Sequence, residues 1–233
     1  AMDTGDYHTI AKHAIKDIAH AKGHAASFLP KWHQDKVGSS SHVHQSLWKD
    51  GTPAFYAEDD ELGMSELMKS YMAGLLKYAP DFTYFLAPYV NSYKRFQVGT
   101  FAPTRIIWSV DNRTAGFRLC GAGTKAVRVE CRVGGSDINP YLAMAVQIAA
   151  GIAGIEEGLT LQPAFSGDAY QGQDGMIPSD LRDARAALLG SDMLRKALGD
   201  DVVDHYARAA EVELEDFARV VTDYEIARGF EMA

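Results

Sequence analysis

The sequence has few cysteines and no apolar run of membrane-spanning length. Two cysteines, Cys120 and Cys131, and no secretory signal lead us to expect a reduced, cytoplasmic setting. The longest apolar stretch, residues 141–155, is interrupted by Gln147 and is too short to cross a bilayer. That stretch therefore predicts a buried helix rather than a membrane anchor.

Positive charge is also scarce. The 23 Lys and Arg residues against 31 Asp and Glu residues give a net charge of −8, so we expect no partner among nucleic acids or membranes. No dinucleotide-binding fingerprint, internal repeat or low-complexity linker is present. With 47% hydrophobic residues, the 233-residue chain can build a sizeable core, and we expect a single domain over residues 1–233.

Apolar spacing predicts strands in the first half of the chain and helices on both sides of them. The predicted helices cover residues 7–22, 61–78, 80–88, 139–158, 180–189 and 202–228. The predicted strands cover residues 25–28, 43–48, 105–109, 116–119 and 126–133. Strands and site motifs therefore fall within residues 25–133, and a helical region covers residues 139–233. This order predicts an α+β fold with mostly antiparallel pairing.

The stretch KAVRVECRV, residues 125–133, alternates between two kinds of side chain. As a strand it places Arg128, Glu130 and Arg132 on one face, and valines with Cys131 on the other. The apolar face can pack into a core, which predicts that Cys131 is buried. The charged face suits an anionic ligand and leaves Glu130 free to hold a metal. The alternative is an amphipathic strand with a simply solvated charged face.

A second stretch, GSSSHVHQSLW at residues 38–48, also alternates. It places His42, His44 and Ser46 on one face of a strand, where two histidines can converge on a metal or a phosphate. From this motif alone, a structural or solvated histidine pair is an open alternative. His20 and His24 also have a zinc-chelating spacing, but the predicted helix ends between them.

Three further motifs complete the pattern: NSYKRFQVGTFAP at residues 91–103, DNRTAGFR at residues 111–118 and NPYLAMAVQIAAGIAGIEEGL at residues 139–159. Together and in this order, the five motifs resemble the C-terminal part of the catalytic domain of glutamine synthetases. The resemblance implies a mostly antiparallel sheet packed by helices, with a helical C-terminal tail. It also implies an ATP-dependent ligase that joins the γ-carboxylate of glutamate to an amine through γ-glutamyl phosphate.

The same resemblance implies a role for each motif residue. The implied ligands of a catalytic Mg²⁺ or Mn²⁺ are His42 and Glu130. The implied ATP-binding residues are His44, Ser46, Arg118 and Arg128. The residue implied to steady the transferred phosphoryl group is Arg113. The positions implied to bind glutamate are Gly38, Arg95 and Arg132.

The sequence departs from the family pattern at two positions. Val37 stands where the loop before His42 usually has an asparagine, and Phe101 stands where a flap glutamate precedes Pro103 by two residues. Because a phenyl ring cannot accept a proton from ammonium, an organic amine competes with ammonia as the implied substrate. Phe101 could instead face the core while another carboxylate takes the proton.

The resemblance further implies chain beyond these residues. Family members begin with a small β-rich domain and a segment that supplies several glutamate metal ligands, and we find no counterpart of either. We therefore expect a fragment that is inactive alone and a homo-oligomer at full length. Two other hypotheses are a catalytically silent family member with a structural or regulatory role, and an unrelated His/Glu metal hydrolase. The hydrolase hypothesis leaves the arginine cluster unexplained.

Overall fold

The protein folds into short strands flanked by helices. The structure, a computed structural model, describes residues 1–172 and 175–232. The strands are β1 (Val43–Gln45), β2 (Trp48–Lys49), β3 (Thr52–Pro53), β4 (Trp108–Val110), β5 (Phe117–Cys120) and β6 (Arg128–Cys131). The helices are α1 (Met2–Ala21), α2 (Glu66–Leu86), α3 (Val90–Tyr93), α4 (Pro140–Glu156), α5 (Leu181–Leu189), α6 (Asp192–Leu198), α7 (Asp200–Phe217) and α8 (Asp223–Met232). This architecture confirms the predicted α+β class.

Four strands form one sheet in the order β1-β6-β5-β4, and β2 and β3 form a separate hairpin. Both neighbours of β6 run antiparallel to it, and Glu130 lies opposite His44 on β1 and Arg118 on β5. The pair β4–β5 is parallel, with Trp108 opposite Phe117. Parallel pairing arises because residues 111–116 carry the chain back along the sheet before β5 begins. The sheet is therefore mostly antiparallel, with this one exception.

The core lies between the sheet and the helix pair α2–α4. The inner face of β6 and its flanking residues is buried through Val127, Val129, Cys131 and Val133. The two helices approach closely because a Cβ on Gly74 of α2 would lie 2.7 Å from the Cα of Gly154 on α4. Burial of Cys131 confirms the prediction from strand alternation.

Helix α4 begins where the sequence predicts. The Asn139 side chain accepts hydrogen bonds from the backbone N–H groups of Tyr141 and Leu142, and Pro140 occupies the first helical position. Helix α5 begins at Leu181, one residue later than predicted, with Asp180 as its N-cap. The Asp180 carboxylate accepts from the first-turn N–H groups, while the Ser179 hydroxyl donates to Asp183 instead.

Helix α2 begins later than predicted and does not stop at proline. The Asp60 carboxylate accepts from the N–H groups of Leu62 and Met64, which holds this segment in a turn, and Ser65 then caps the helix. The helix continues through Pro80 to Leu86, so the two predicted helices are one. Burial of most residues in its last two turns offsets the roughly 3 kcal/mol that an interior proline costs.

Two other predictions are wrong. Residues 25–28 form no strand, because the Phe28 carbonyl accepts from the Ser136 hydroxyl and its ring lies under Lys12 rather than in the sheet. The predicted helix over residues 202–228 is broken between α7 and α8, where Thr222 and Glu225 exchange capping hydrogen bonds.

The end of this helical region is more exposed than its apolar spacing suggests. Val221 is 71% exposed and Tyr224 is 69% exposed. Among the described residues, no helix combines the length and apolar character needed to cross a membrane.

Candidate active site on the sheet face

Glu130 on β6 is the centre of a buried charged cluster. Its Oε1 lies 2.9 Å from His42 Nδ1, 3.1 Å from Arg132 Nη1 and 3.6 Å from His44 Nε2. Its Oε2 lies 3.1 Å from Arg118 Nη1. Glu130 is 3% exposed and Arg132 5% exposed. The charged face of the strand is therefore a compact polar cluster and not a solvated surface.

Strand pairing explains why these side chains meet. Alternation puts every second residue of β6 on the outer face, and antiparallel pairing aligns His44, Glu130 and Arg118 in one row across three strands. Cys120, two residues after Arg118, belongs to the same face, with its Sγ 3.8 Å from Glu130 Oε2. On the opposite face, burial raises the pKa of Cys131 to about 12, which keeps that thiol protonated.

The cluster sets the charge of its own members. Burial alone would raise the pKa of Glu130, but Arg132, His42, His44 and Arg118 together lower it below its ordinary value, so the carboxylate is ionised at neutral pH. Burial lowers the pKa of His42 and His44, and nearby arginines lower both further. Both imidazoles are therefore neutral at pH 7, the form that binds metals.

The other predicted phosphate contacts lie toward solvent. The Arg128 Nε donates to His44 Nδ1 at 3.3 Å, and the Arg118 Nη2 donates to Asp111 Oδ1 at 2.8 Å. Ser46 is exposed and accepts from the Trp48 indole at 3.1 Å. Cations thus line the outer rim of the cluster, where a phosphate chain could lie.

A second buried cation lies behind the strand. Arg95 is 3% exposed, one of its terminal nitrogens donates to the Val133 carbonyl, and its Nε has no partner among the described residues. Burial lowers the pKa of Arg95 to about 10. Gly38 packs directly on it, because an added Cβ there would lie 2.7 Å from Arg95 Cγ and would collide with the Pro30 carbonyl. Only glycine fits this position without movement.

Arg113 and Phe101 lie outside the cluster, as Ser46 does. The Arg113 side chain is exposed. Its backbone contacts the cluster, because the Arg113 carbonyl accepts a hydrogen bond from Arg132 Nε at 3.2 Å. Phe101 is 63% exposed with φ +59°, a left-handed conformation that costs a bulky residue roughly 1–2 kcal/mol. The alternative in which Phe101 faces the core is therefore wrong.

The structure thus gathers some predicted site residues and not others. It brings together His42, His44, Arg118, Arg128, Glu130 and Arg132, and it packs Gly38 on Arg95. Sequence reasoning missed Asp111, which lies two positions before Arg113 in the DNRTAGFR motif. It also missed the partners behind β1, Tyr71 and Gln147; the polar Gln147 within an apolar run was the available signal.

A metal would find only part of its ligands here. No group of three or more His, Cys, Asp or Glu side chains among the described residues is arranged to hold a metal ion, and His20 and His24 are exposed around the end of α1. His42 and Glu130 offer one imidazole and one carboxylate 2.9 Å apart. These donor types fit Mg²⁺ or Mn²⁺, which accept waters and phosphate oxygens for the remaining positions.

Comparison with known proteins places the chain in a family. A family model described as glutamine synthetase, catalytic domain, matches residues 1–229. The chain belongs to the glutamine synthetase family. It is 42% identical over 232 residues to gamma-glutamylethanolamide synthetase GlnA4 of Streptomyces coelicolor, a match that covers 99% of the chain and 49% of the relative.

Other family members match over the same extent. The chain is 37% identical over 236 residues to the glutamine synthetase of Thermus thermophilus, covering 98% of the chain and 53% of the relative. A solved GmaS/ADP complex superposes with a TM-score of 0.90 at 30% identity, covering 98% of this chain and 54% of that one. The chain therefore spans about half the length of the relatives it matches.

Proposed function

We propose that the protein containing this chain is an ATP-dependent ligase that joins the γ-carboxylate of glutamate to an organic amine through γ-glutamyl phosphate. The observation that carries this proposal is the convergence of two imidazoles and two guanidiniums on the buried Glu130. Membership of the glutamine synthetase family supports the reaction class.

The chemistry requires management of negative charge. A carboxylate is a poor electrophile because its leaving group would be oxide, whereas the acyl phosphate releases phosphate. Transfer of the γ-phosphoryl group therefore needs cations around the phosphate oxygens. In this proposal Arg118, Arg128, His44 and Ser46 contact the nucleotide, and Arg113 closes on the transferred group from its exposed position. The relative solved as a GmaS/ADP complex supports a nucleotide site in this fold.

His42 and Glu130 would hold one divalent cation, Mg²⁺ or Mn²⁺, which would neutralise phosphate charge during the transfer. The chain also sets the charge states of these two ligands before a cation binds. Glu130 is ionised because Arg132 and Arg118 lower its pKa, and His42 is neutral because burial lowers its pKa. Both groups are in their ligand forms before any cation arrives.

The glutamate substrate would be held by Arg132 and Arg95 beside the Gly38 backbone. Arg95 is a buried cation whose Nε lacks a partner and whose pKa is lowered by burial. A substrate carboxylate would supply the counter-charge, and guanidinium can bind carboxylate in two places at once. Packing of Gly38 on Arg95 would bring backbone polar groups to the same carboxylate.

The choice of an organic amine rests on Phe101. Its exposed phenyl ring lies on the flap of residues 97–103, where it offers apolar contact and no proton acceptor. The 42% identical relative is named for ethanolamine, although 37% identical relatives are named glutamine synthetases. Two or three buried methylenes at about 0.8 kcal/mol each would give roughly ten- to sixty-fold preference over ammonia.

The direct test is an amine panel on the full-length protein. With Mg-ATP and glutamate present, phosphate release is followed for ammonium and for alkyl, aryl and hydroxyalkyl amines. We expect the highest kcat/KM for an organic amine. If ammonium equals every amine, the amine preference is wrong while the ligase survives. If no amine and no ammonium supports phosphate release, the silent-homologue hypothesis replaces the proposal. The 233-residue chain alone is assayed in parallel, and we predict that it releases no phosphate.

A further inference from the structure

A chain of hydrogen bonds, part-buried at Gln45 and buried at Gln147, lies behind β1 on the side away from Glu130. The Tyr71 hydroxyl donates to Gln45 Oε1 at 2.7 Å, and Gln45 Nε2 donates to Gln147 Oε1 at 2.8 Å. Gln147 Nε2 in turn donates to the Ala143 carbonyl at 2.7 Å. Tyr71 is 1% exposed and Gln147 is fully buried. The chain connects one strand residue to both core helices.

The anchors of this chain are rigid. Tyr71 on α2 lies flat against Gly151 of α4, because an added Cβ at Gly151 would overlap the tyrosine ring. Gln147 is held by the backbone of its own helix through Ala143. Hydrogen bonds are directional and strengthen where water is excluded, so these helices fix both ends of the Gln45 amide.

The strand that these hydrogen bonds hold is short and lies at one edge of the described sheet. β1 has three residues, and among the described residues it pairs within the sheet only with β6. A cavity of about 540 Å³ adjoins it and is lined by His42, His44, Gln45 and Tyr71 among others. Among the described residues, the hydrogen bonds of the Gln45 amide therefore join β1 to the core helices beside this cavity.

We propose that Gln147, acting through Gln45 and together with Tyr71, is a positioning residue that sets the placement of His42 and His44 against Glu130. Gln45 follows His44 directly, so a shift of the amide moves the imidazole across the strand. This inference rests on the proposed function in so far as His42 and His44 are assigned to the metal and the nucleotide. Its content is geometric, and it can be measured without turnover.

The test uses Mn²⁺ binding by the full-length protein, followed by the loss of the free-ion EPR signal, together with NMR of the two imidazoles. Gln147→Leu removes one partner of the Gln45 amide. We expect Mn²⁺ to bind about tenfold more weakly, the lower end of what removing a group behind a metal ligand costs. We also expect shifted His42 and His44 signals. Gln162→Leu, at an exposed glutamine side chain, is the matched control.

A second variant separates positioning from folding. The combined Tyr71→Phe, Gln45→Met and Gln147→Met variant removes the whole polar chain, and apolar replacement of all partners can leave stability nearly unchanged. We expect its unfolding midpoint to match the parent while Mn²⁺ affinity and the imidazole signals stay altered. Parent affinity and parent imidazole signals in a folded triple variant would overturn the inference.

Failure of the proposed function gives a different pattern. If the parent protein does not bind Mn²⁺, the metal assignment is wrong and the imidazole signals alone decide the inference. Shifted His42 and His44 signals in Gln147→Leu and in the triple variant, but not in Gln162→Leu, would still support positioning. Unshifted signals in both variants would refute it.

Discussion

The cluster around Glu130 and the flap of residues 97–103 differ in how firmly the fold holds them. In the cluster, Glu130 and Arg132 are almost fully buried and each has several charged or polar partners. On the flap, Val98 and Phe101 are 67% and 63% exposed, and Gly99 and Phe101 both have positive φ. One region is fixed by many contacts and the other by few.

Few hydrogen bonds hold the flap, and one of them comes from the distant Tyr170. The Thr100 hydroxyl donates to the Gln97 carbonyl at 2.6 Å, and the Tyr170 hydroxyl donates to the Ala102 carbonyl at 3.1 Å. These bonds hold the two ends and leave the Phe101 side chain unconstrained. Charge neutralisation requires groups fixed in advance, whereas substrate choice can change on a surface loop without disturbing the sheet. In the proposed enzyme, chemistry and selectivity are therefore physically separate.

The largest predicted effect tests the cluster. Glu130→Gln should lower ATP-dependent turnover by at least about a thousandfold, because it removes the proposed metal ligand and the charge that pairs with Arg118 and Arg132. It should also cost about 3–5 kcal/mol of unfolding free energy, because it leaves the buried Arg132 guanidinium without its carboxylate partner. Steady-state kinetics and urea denaturation measure the two effects.

Glu157→Gln is the matched control, since Glu157 pairs with Lys77 on the surface. Parent-like turnover in Glu130→Gln would mean that the cluster is structural only.

The next effect tests the glutamate side. Gly38→Ala should raise the glutamate KM roughly tenfold, because the new methyl group collides with the Pro30 carbonyl and the Arg95 stem. Overpacking of this kind also costs about 1–3 kcal/mol of stability. Kinetics with varied glutamate and varied ATP separate the two substrates. Gly229→Ala, where an added Cβ meets nothing within 4 Å, is the control. An unchanged glutamate KM would place the substrate elsewhere.

Strand alternation made the cluster predictable from sequence. The face of Arg128, Glu130 and Arg132 depends only on a period of two, and the antiparallel neighbours then follow from their own alternation. What could not be predicted depends on contacts distant in sequence. No local pattern indicates that the Phe28 carbonyl accepts a hydrogen bond from the distant Ser136 hydroxyl. That contact holds residues 25–28 outside the sheet.

Some features that were not predicted have a local signal in the sequence, and others do not. The helix break before α8 has a local sequence signal, because Thr222 is followed three residues later by Glu225 in the capping-box pattern. By contrast, the partner of Gln147 is a strand residue about one hundred positions earlier, so only the fold can identify it. A polar residue within an apolar helix indicates that Gln147 has a specific hydrogen-bond partner, but it does not identify that partner.

A smaller effect tests the flap. Phe101→Ala should reduce the preference for an organic amine over ammonium by about tenfold, equivalent to about 1.4 kcal/mol of lost apolar contact. The variant should keep its turnover at saturating amine, because the cluster is untouched. Val98→Ala is the matched control, as Val98 is equally exposed on the same flap. If both variants keep the parent preference, selectivity resides outside the flap.

The smallest effect returns to the cluster and concerns acid stability. Burial lowers the pKa of His42 and His44 below the ordinary value of 6.5, so between the lowered and ordinary values the unfolded chain binds more protons than the folded one. The two histidines therefore do not reduce the free energy of unfolding above pH 6.5. They reduce it progressively as the pH falls below 6.5.

Glu130 adds a second, lower window. Its folded pKa is lowered from 4.5, so its contribution is present above that value and is lost as pH falls through the folded pKa. The flap has no acidic or histidine side chain and contributes to neither window. Of these two regions, only the cluster contributes to acid sensitivity.

The measurement is the unfolding midpoint from pH 7.5 to pH 5. Replacing both His42 and His44 by glutamine should flatten the decline of the parent below pH 6.5, because a glutamine takes up no proton in either state. The effect is modest, since the two imidazole side chains are 28% and 43% exposed and partly screened by water. His13→Gln on the exposed face of α1 is the matched loss of a histidine. A double variant as acid-sensitive as the parent would show that other groups govern acid stability, and the cluster would then resemble the flap in this respect.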